Sequence, residues 1–287
     1  MRAMQWRAVA GRALRLRRWR FEVLPTPVYF VNQDARPERR QFMEEQFERL
    51  GLAATRIAGA EPAELTGDQL ARYCNQRNVH FLSPQQLCCS LGHFRAWQAF
   101  LATGADRALI LEDDAVLSER LPGFLAELPG MPCDVLRVEI SSRPHLTSEP
   151  VGESICGIGF RQFRSTGWGS AAYIISRQAA EGLLANPHLF DLPTDAMLFC
   201  PLELPAKELR LLQADPALCV QLRERPGQVE AGVSGITMRL KPKSFTSWWR
   251  LQLRGVRWGW IKLMDALTRR DFRRRVIGFA DDQAAAG

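Results

Sequence analysis

The chain contains no run of 18 apolar residues, so no helix is obliged to span a membrane. It contains no CxxC pair, and its seven cysteines are an odd number with Cys88 and Cys89 adjacent, so a disulfide framework is not expected. A reduced, cytoplasmic chain is the simplest reading. Histidine is scarce: His80, His93, His145 and His188 stand at no ligand spacing, which argues against a zinc site. The first 24 residues have too many arginines and no long apolar block for a signal peptide. What remains is 287 residues, 46% hydrophobic and 24% charged, enough for a sizeable core and neither disordered nor collagen-like.

Charge is unevenly placed. Residues 1–24 hold seven arginines against Glu22, a net of +6. Residues 239–287 hold twelve basic and four acidic residues, a net of +8, so 25–238 carries −7. This predicts a basic N-terminal segment (1–24), a mildly acidic body (25–238) and a basic, Trp-rich C-terminal segment (239–287). A nucleic-acid binder would be basic throughout. Basic ends with interleaved Trp fit an anionic membrane surface, which predicts peripheral attachment to the inner face. In the C-terminal segment Trp249, Leu253, Val256, Trp260, Leu263 and Leu267 recur at three or four residues, one face of a helix over about 247–268. Arg250, Arg254 and Arg257 form a stripe beside it, and Arg269, Arg270 and Arg273 to Arg275 add charge.

Within the body, Val28 to Val31 reads as a buried strand, followed by a polar loop and a helix with Pro37 near its start and Met43, Phe47 and Leu50 on one face. A second helix is expected over 84–103, striped by Leu87, Leu91, Phe94, Gln98 and Leu101 and widened by Trp97. Ala108 to Leu111 reads as a buried strand, Val135 to Ile140 as a half-covered one, and Ala171 to Ile175 as a fourth that precedes a helix through Leu183 and Leu184. Residues 141–170, rich in Ser, Gly and Pro, read as a long loop. The class is α/β.

The strand at 108–111 runs straight into Glu112-Asp113-Asp114. Three consecutive carboxylates repel one another unless a cation sits among them. In an open α/β sheet the ligand crevice lies beyond the carboxyl ends of the strands, where these acids are. Hard oxygen ligands suit Mg²⁺ or Mn²⁺. Residues two apart in extended chain face the same way, so Glu112 and Asp114 form the chelating pair and Asp113 points elsewhere. The competing reading is a solvated acidic turn.

Four ordered blocks resemble glycosyltransferase family 25. They are Phe30-Val31-Asn32-Gln33-Asp34-Ala35-Arg36-Pro37-Glu38-Arg39-Arg40, Ser83 to His93, Leu109 to Ala115, and Thr166 to Ser176 with the later Asp195. The departures are Gln85-Gln86 for the family's Gly-Glu, Cys88 for its next Gly, Gly92 for its Ser, and Gln33 for an apolar residue. The resemblance implies a GT-A fold, a Rossmann-like nucleotide-sugar-binding sandwich, and an inverting transfer of a hexose. Galactose from UDP-galactose to lipooligosaccharide or a similar surface glycolipid is the expected case, with a divalent metal. It places Asn32, Asp34, Arg36 and Arg40 at the nucleotide, with Arg39 read as the arginine on a solvated helix face. It brings His93 into contention as a binding residue, against a satisfied core histidine. Asp113 is assigned to ribose or a backbone donor, and Trp168 between two glycines to a sugar ring. Asp195 is expected as the base or a third metal ligand, with Glu139 and Asp191 as rival bases. The alternative is a catalytically altered member that binds a glycolipid or partner, favoured by Gln85-Gln86.

Overall fold

The computed structural model describes residues 25–78, 80–128, 133–165, 167, 169–201, 203, 205–224, 244–268 and 271–284. The basic segment 1–24, Trp168, Arg269 and Arg270 lie outside these residues. The strands are β1 (Val28–Asn32), β2 (Ala54–Ala58), β3 (Arg107–Glu112), β4 (Ala115–Leu117), β5 (Val135–Arg137), β6 (Ser141–Thr147), β7 (Gly159–Gln162), β8 (Ala172–Ser176), β9 (Leu211–Asp215), β10 (Cys219–Gln221) and β11 (Arg273–Ile277). The helices are α1 (Pro37–Leu50), α2 (Gly67–Tyr73), α3 (Pro84–Leu101), α4 (Leu121–Glu127), α5 (Arg177–Leu184), α6 (Thr194–Phe199), α7 (Phe245–Thr268) and α8 (Ala280–Ala284).

Seven strands form one mixed sheet in the order β2-β1-β3-β8-β5-β9-β7. β2, β1 and β3 are parallel neighbours, and β8 runs against both β3 and β5. Side chains alternate across the sheet and feed two cores. Val28, Phe30, Leu109 and Leu111 pack with Met43 and Phe47 of α1 and Phe124 of α4. Tyr29, Ile110, Tyr173 and Ile175 pack with Trp97 and Phe100 of α3 and Leu183 of α5. Helices therefore cover both faces, the Rossmann-like α/β arrangement that the strand–loop–helix opening predicts.

Several expectations need correction. The buried face of α3 carries His93, Ala96, Trp97 and Phe100, whereas Gln98 is exposed. The helix is turned toward β1 because Gly92 lets it approach closely: a Cβ there would lie 2.5 Å from Val31 Cγ1. Residues 141–170 are not a single loop, since β6 pairs with β11 and β7 with β9. The C-terminal segment is likewise not all appended. β11 returns to the body, and Phe279 and Ala280 are buried there. Arg275, which the sequence reading grouped with membrane-facing charge, donates to the Thr147 and Ser148 carbonyls at 3.0 Å.

The expected half-covered strand at 135–140 is buried on both faces. Arg137 is 1% and Glu139 2% exposed, tied by Arg137 Nη2 to Glu139 Oε2 at 3.3 Å. Arg137 Nη1 also donates to Gln213 Oε1 at 3.3 Å. Burial pushes the Glu139 carboxyl up to about 8, with Arg137 acting in the opposite direction. Above pH 8, where the Glu139 carboxylate forms, replacing it by Leu leaves a buried guanidinium without its counter-charge, a change that costs about 3–5 kcal/mol. Urea denaturation should show that loss, and Arg137→Met added to Glu139→Leu should recover most of it. A double variant no more stable than Glu139→Leu alone would show that the pair is not the cause.

Candidate active site

A cavity of about 370 Å³ opens beyond the carboxyl ends of β1 and β3, closed at the side by α3 and by the start of α6. Its lining includes Arg36, Arg39, Cys89, His93, Glu112, Asp113, Asp114, Ser170, Asp195 and Arg223. This is where strand direction places a ligand crevice in such a sheet.

The three carboxylates are held in three different ways. Glu112 Oε1 accepts from Ser170 Oγ at 2.5 Å and lies 3.3 Å from His93 Nε2. Burial alone would raise its carboxyl, but these two partners outweigh burial and hold it below the usual range. Asp113 accepts from Asn32 Nδ2 at 2.8 Å and from Arg39 Nη1 at 3.0 Å. Burial nevertheless raises it. Asp114 is 7% exposed, and its Oδ1 is buried with no hydrogen-bond partner. Burial first, and the Glu112 charge second, push Asp114 up to about 7, with Arg39 and Arg223 opposing. A buried carboxylate oxygen without a donor is costly and calls for a cation.

His93 is fully buried and belongs to a directed chain. Trp97 Nε1–H donates to the Tyr173 hydroxyl at 2.9 Å, and that hydroxyl lies 2.9 Å from His93 Nδ1. Indole is donor only, so the assignment that satisfies every group has Tyr173 donating to Nδ1 and His93 Nε2–H donating to Glu112. His93 thus orients Glu112 from below. Cys89, four residues earlier on α3, brings its sulfur, a His93 ring nitrogen and a Glu112 oxygen within 4.8 Å of one another. The reading that no histidine stands at ligand spacing is corrected here: the pair Cys89 and His93 shares a helix face. Burial and the surrounding carboxylates hold the Cys89 thiol well above its usual range.

Asp195, in the first turn of α6, accepts from Gly169 N at 3.3 Å and from Ala196 N at 2.7 Å. Burial raises its carboxyl. Gly169 has φ +95°, and a Cβ there would sit 2.6 Å from Glu139 Oε1. Only glycine threads this passage between Asp195 and Glu139 without strain. Glu139 lies behind it and is not among the cavity-lining residues.

The structure therefore brings Arg36, His93, Glu112, Asp113, Asp114 and Asp195 together, with Asn32 buried beneath Asp113. It leaves Glu139 behind Gly169 and three others apart. Asp34 is 79% exposed in its side chain and pairs with Arg56. Arg40 is exposed and pairs with Glu44 at 2.7 Å. Asp191 pairs with His188 at 2.8 Å, away from the lining. Arg39, read from sequence as the solvated arginine, is the one that reaches the carboxylates. The signal was present: Arg39 is four residues before Met43 and so shares the buried face of α1. Arg223 had no signal in the sequence, and Ser170, inside the Thr166 to Ser176 block, was not singled out because its contact with Glu112 comes from non-local folding.

The family model described as "Glycosyltransferase family 25 (LPS biosynthesis protein)" matches residues 26–198. The chain belongs to glycosyltransferase family 25. It is 29% identical over 196 residues to "Lacto-N-neotetraose biosynthesis glycosyltransferase LgtB" of Neisseria meningitidis serogroup B, covering 64% of this chain and 71% of that one. A "Glycosyltransferase 25 family member" of Drosophila pseudoobscura pseudoobscura is 30% identical over 95 residues, 30% of this chain and 15% of that protein. Among solved structures, a glycosyltransferase involved in glycosylation of the major capsid of PBCV-1 aligns over 69% of this chain and 94% of its own, with a TM-score of 0.37 and 11% identity. The matched region of this family 25 member contains Glu112 to Asp114 and Asp195, so the glycosyltransferase assignment covers the cavity's carboxylates, with Gln221 and Arg223 of the lining beyond it.

Three of the departures from the family pattern, Gln86, Cys88 and Gly92, have structural explanations. Ser83 Oγ accepts from Gln86 N at 3.1 Å while Gln86 Oε1 accepts from Ser83 N at 2.9 Å. This is a capping box, in which Gln serves as well as Glu at the third helical position. Cys88 is buried against Leu82 and Leu87, and Gly92 permits the contact with Val31 described above.

Proposed function

We propose that this protein is a metal-dependent, inverting hexosyltransferase that moves galactose from UDP-galactose to lipooligosaccharide or a related surface glycan. The observation that carries this reading is the buried, unpartnered Asp114 oxygen beside Glu112 at the mouth of β3. The names of the relatives, which refer to lipopolysaccharide and lacto-N-neotetraose biosynthesis, support the acceptor class.

The donor set fits a hard divalent ion. Glu112 and Asp114 would hold Mn²⁺ or Mg²⁺, which supplies positive charge against the departing diphosphate. Arg36, Arg39 and Arg223 line the cavity and add fixed positive charge for the donor's phosphates. His93 keeps Glu112 turned toward the cavity. Asp195 takes the proton of the acceptor hydroxyl as its oxygen attacks the anomeric carbon and the nucleoside diphosphate leaves from the opposite face. A single displacement of this kind inverts the anomeric centre. Gly169 N–H fixes the Asp195 carboxylate for that role. Gln86 keeps the capping box that Glu would make, and Gln85 and Gln86 both line the cavity, so this departure alters the cavity wall and leaves Glu112, Asp114 and Asp195 in place.

A panel of nucleotide sugars, incubated with Mn²⁺ or Mg²⁺ and no acceptor, tests the proposal. The expected result is hydrolysis of UDP-galactose that depends on metal and stops with chelator. Hydrolysis insensitive to chelator would overturn the metal assignment. Preference for another nucleotide sugar would overturn the donor.

A further inference from the structure

α7 is a 24-residue helix, about 36 Å long, that meets the catalytic body through Trp258. Trp258 packs against Leu192, Ala196 and Cys200, the flank of the helix that carries Asp195. At about 100° per residue, Trp249, Val256 and Trp260 lie within about 20° of the line diametrically opposite Trp258, and Leu253 and Leu263 within about 40°. Along that outer line Trp249 is 51%, Leu253 53%, Val256 71% and Trp260 65% exposed. Phe245 stacks on both Trp248 and Trp249 at the start of the helix, and all three are exposed too. An apolar stripe of this length is larger than the scattered hydrophobics of an ordinary surface. No helix among the described residues is long and apolar enough to cross a membrane.

We propose that α7 docks in the plane of an anionic lipid bilayer, its Trp249–Leu253–Val256–Trp260–Leu263 stripe buried at the headgroup boundary. Charge selects this occupant. The helix contains Arg250, Arg254, Arg257 and Lys262 against Asp265, a net of +3, beside a body of net −7. A second copy docked through the same face would bring like charges together, because a two-fold contact pairs a surface with itself. An anionic leaflet attracts the helix instead, by about fivefold in partition for each basic side chain near it. Trp suits the boundary, where its ring meets lipid and its N–H meets water. The inference goes beyond the proposed reaction and holds whichever sugar is transferred. Because Trp258 seats α7 against α6, docking would bring the Asp195 side of the cavity close to the membrane.

The test uses the full chain and vesicles of phosphatidylcholine, with and without phosphatidylglycerol. The expected result is at least about tenfold stronger flotation with the anionic vesicles, weakened by high salt, and lost about tenfold or more in a Trp249→Ser/Val256→Ser/Trp260→Ser variant. The melting temperature and acceptor-free donor hydrolysis of the variant should match those of the parent, since all three residues are exposed and lie opposite Trp258. Should the variant fail to fold, quenching of the parent's Trp fluorescence by brominated lipid decides the matter, and its absence refutes docking. Equal flotation of parent and variant, or no preference for anionic lipid, overturns the proposal. A parent that sediments as a dimer, ignores vesicles and becomes monomeric in the variant would assign the stripe to a second copy.

Discussion

Asp114→Asn should reduce transfer by at least about a thousandfold and eliminate metal-dependent UDP binding, while leaving the fold intact. The substitution keeps the size of the side chain and removes its charge. In the metal-free protein that charge is a liability: Oδ1 has no donor, and Glu112 sits beside it. The sign of the stability effect follows from linkage. The folded protein binds this proton up to about 7, whereas the unfolded chain releases it near 3.8. The stabilisation from the bound proton is complete below that lower value and is lost as pH rises through about 7. At pH 8 the metal-free parent therefore carries a penalty on the order of 2–4 kcal/mol that Asn does not. Thermal melting with chelator should find Asp114→Asn at least as stable as the parent at pH 8. Added Mn²⁺ should raise the melting point of the parent and not that of the variant. Near-normal turnover of Asp114→Asn, or a Mn²⁺ shift of equal size in both proteins, would remove Asp114 from the metal site.

The position of this carboxylate was readable from the chain because the signal was local. An uninterrupted apolar strand, Ala108 to Leu111, ends in three acids, and strand direction then puts them at the crevice. Elements with that kind of signal were legible: β1, α1, β3, β8 and α5 each carry their own periodicity and punctuation. The elements that were missed depend on distant partners. β6 reads as Ser- and Pro-containing loop, and it is a strand because β11, some 130 residues later, pairs with it. Arg137 and Glu139 read as solvent-facing positions of an alternating strand, yet each is buried because the other is there. At the site the same division holds. Arg39 was recoverable from the phase of α1, whereas Ser170 and the Tyr173–His93 link require knowing that β8 lies beside β3.

Asp195→Asn should lower the rate of transfer by about a hundredfold to ten-thousandfold, the range for losing a positioned base, with metal-dependent UDP binding within a few-fold of the parent. Asp195 and Asp114 both line the cavity, but their surroundings differ. The Asp195 carboxylate is tied by backbone N–H groups of Gly169 and Ala196, so it is oriented without a cation. Asp114 has an oxygen that nothing satisfies. This contrast favours a proton acceptor at Asp195 and a ligand at Asp114. Burial raises the Asp195 carboxyl, so the parent's rate should climb with pH as the carboxylate forms above the usual range for an aspartate. That acid limb should be absent from the residual activity of Asp195→Asn. Asp191→Asn is the control: its carboxylate pairs with exposed His188 outside the cavity lining, and its activity should stay close to that of the parent. If Asp195→Asn lost Mn²⁺-dependent UDP binding as fully as Asp114→Asn, Asp195 would be a third ligand. The base would then have to be sought among carboxylates that the cavity reaches only after substrate binds, with Glu139 behind Gly169 the nearest.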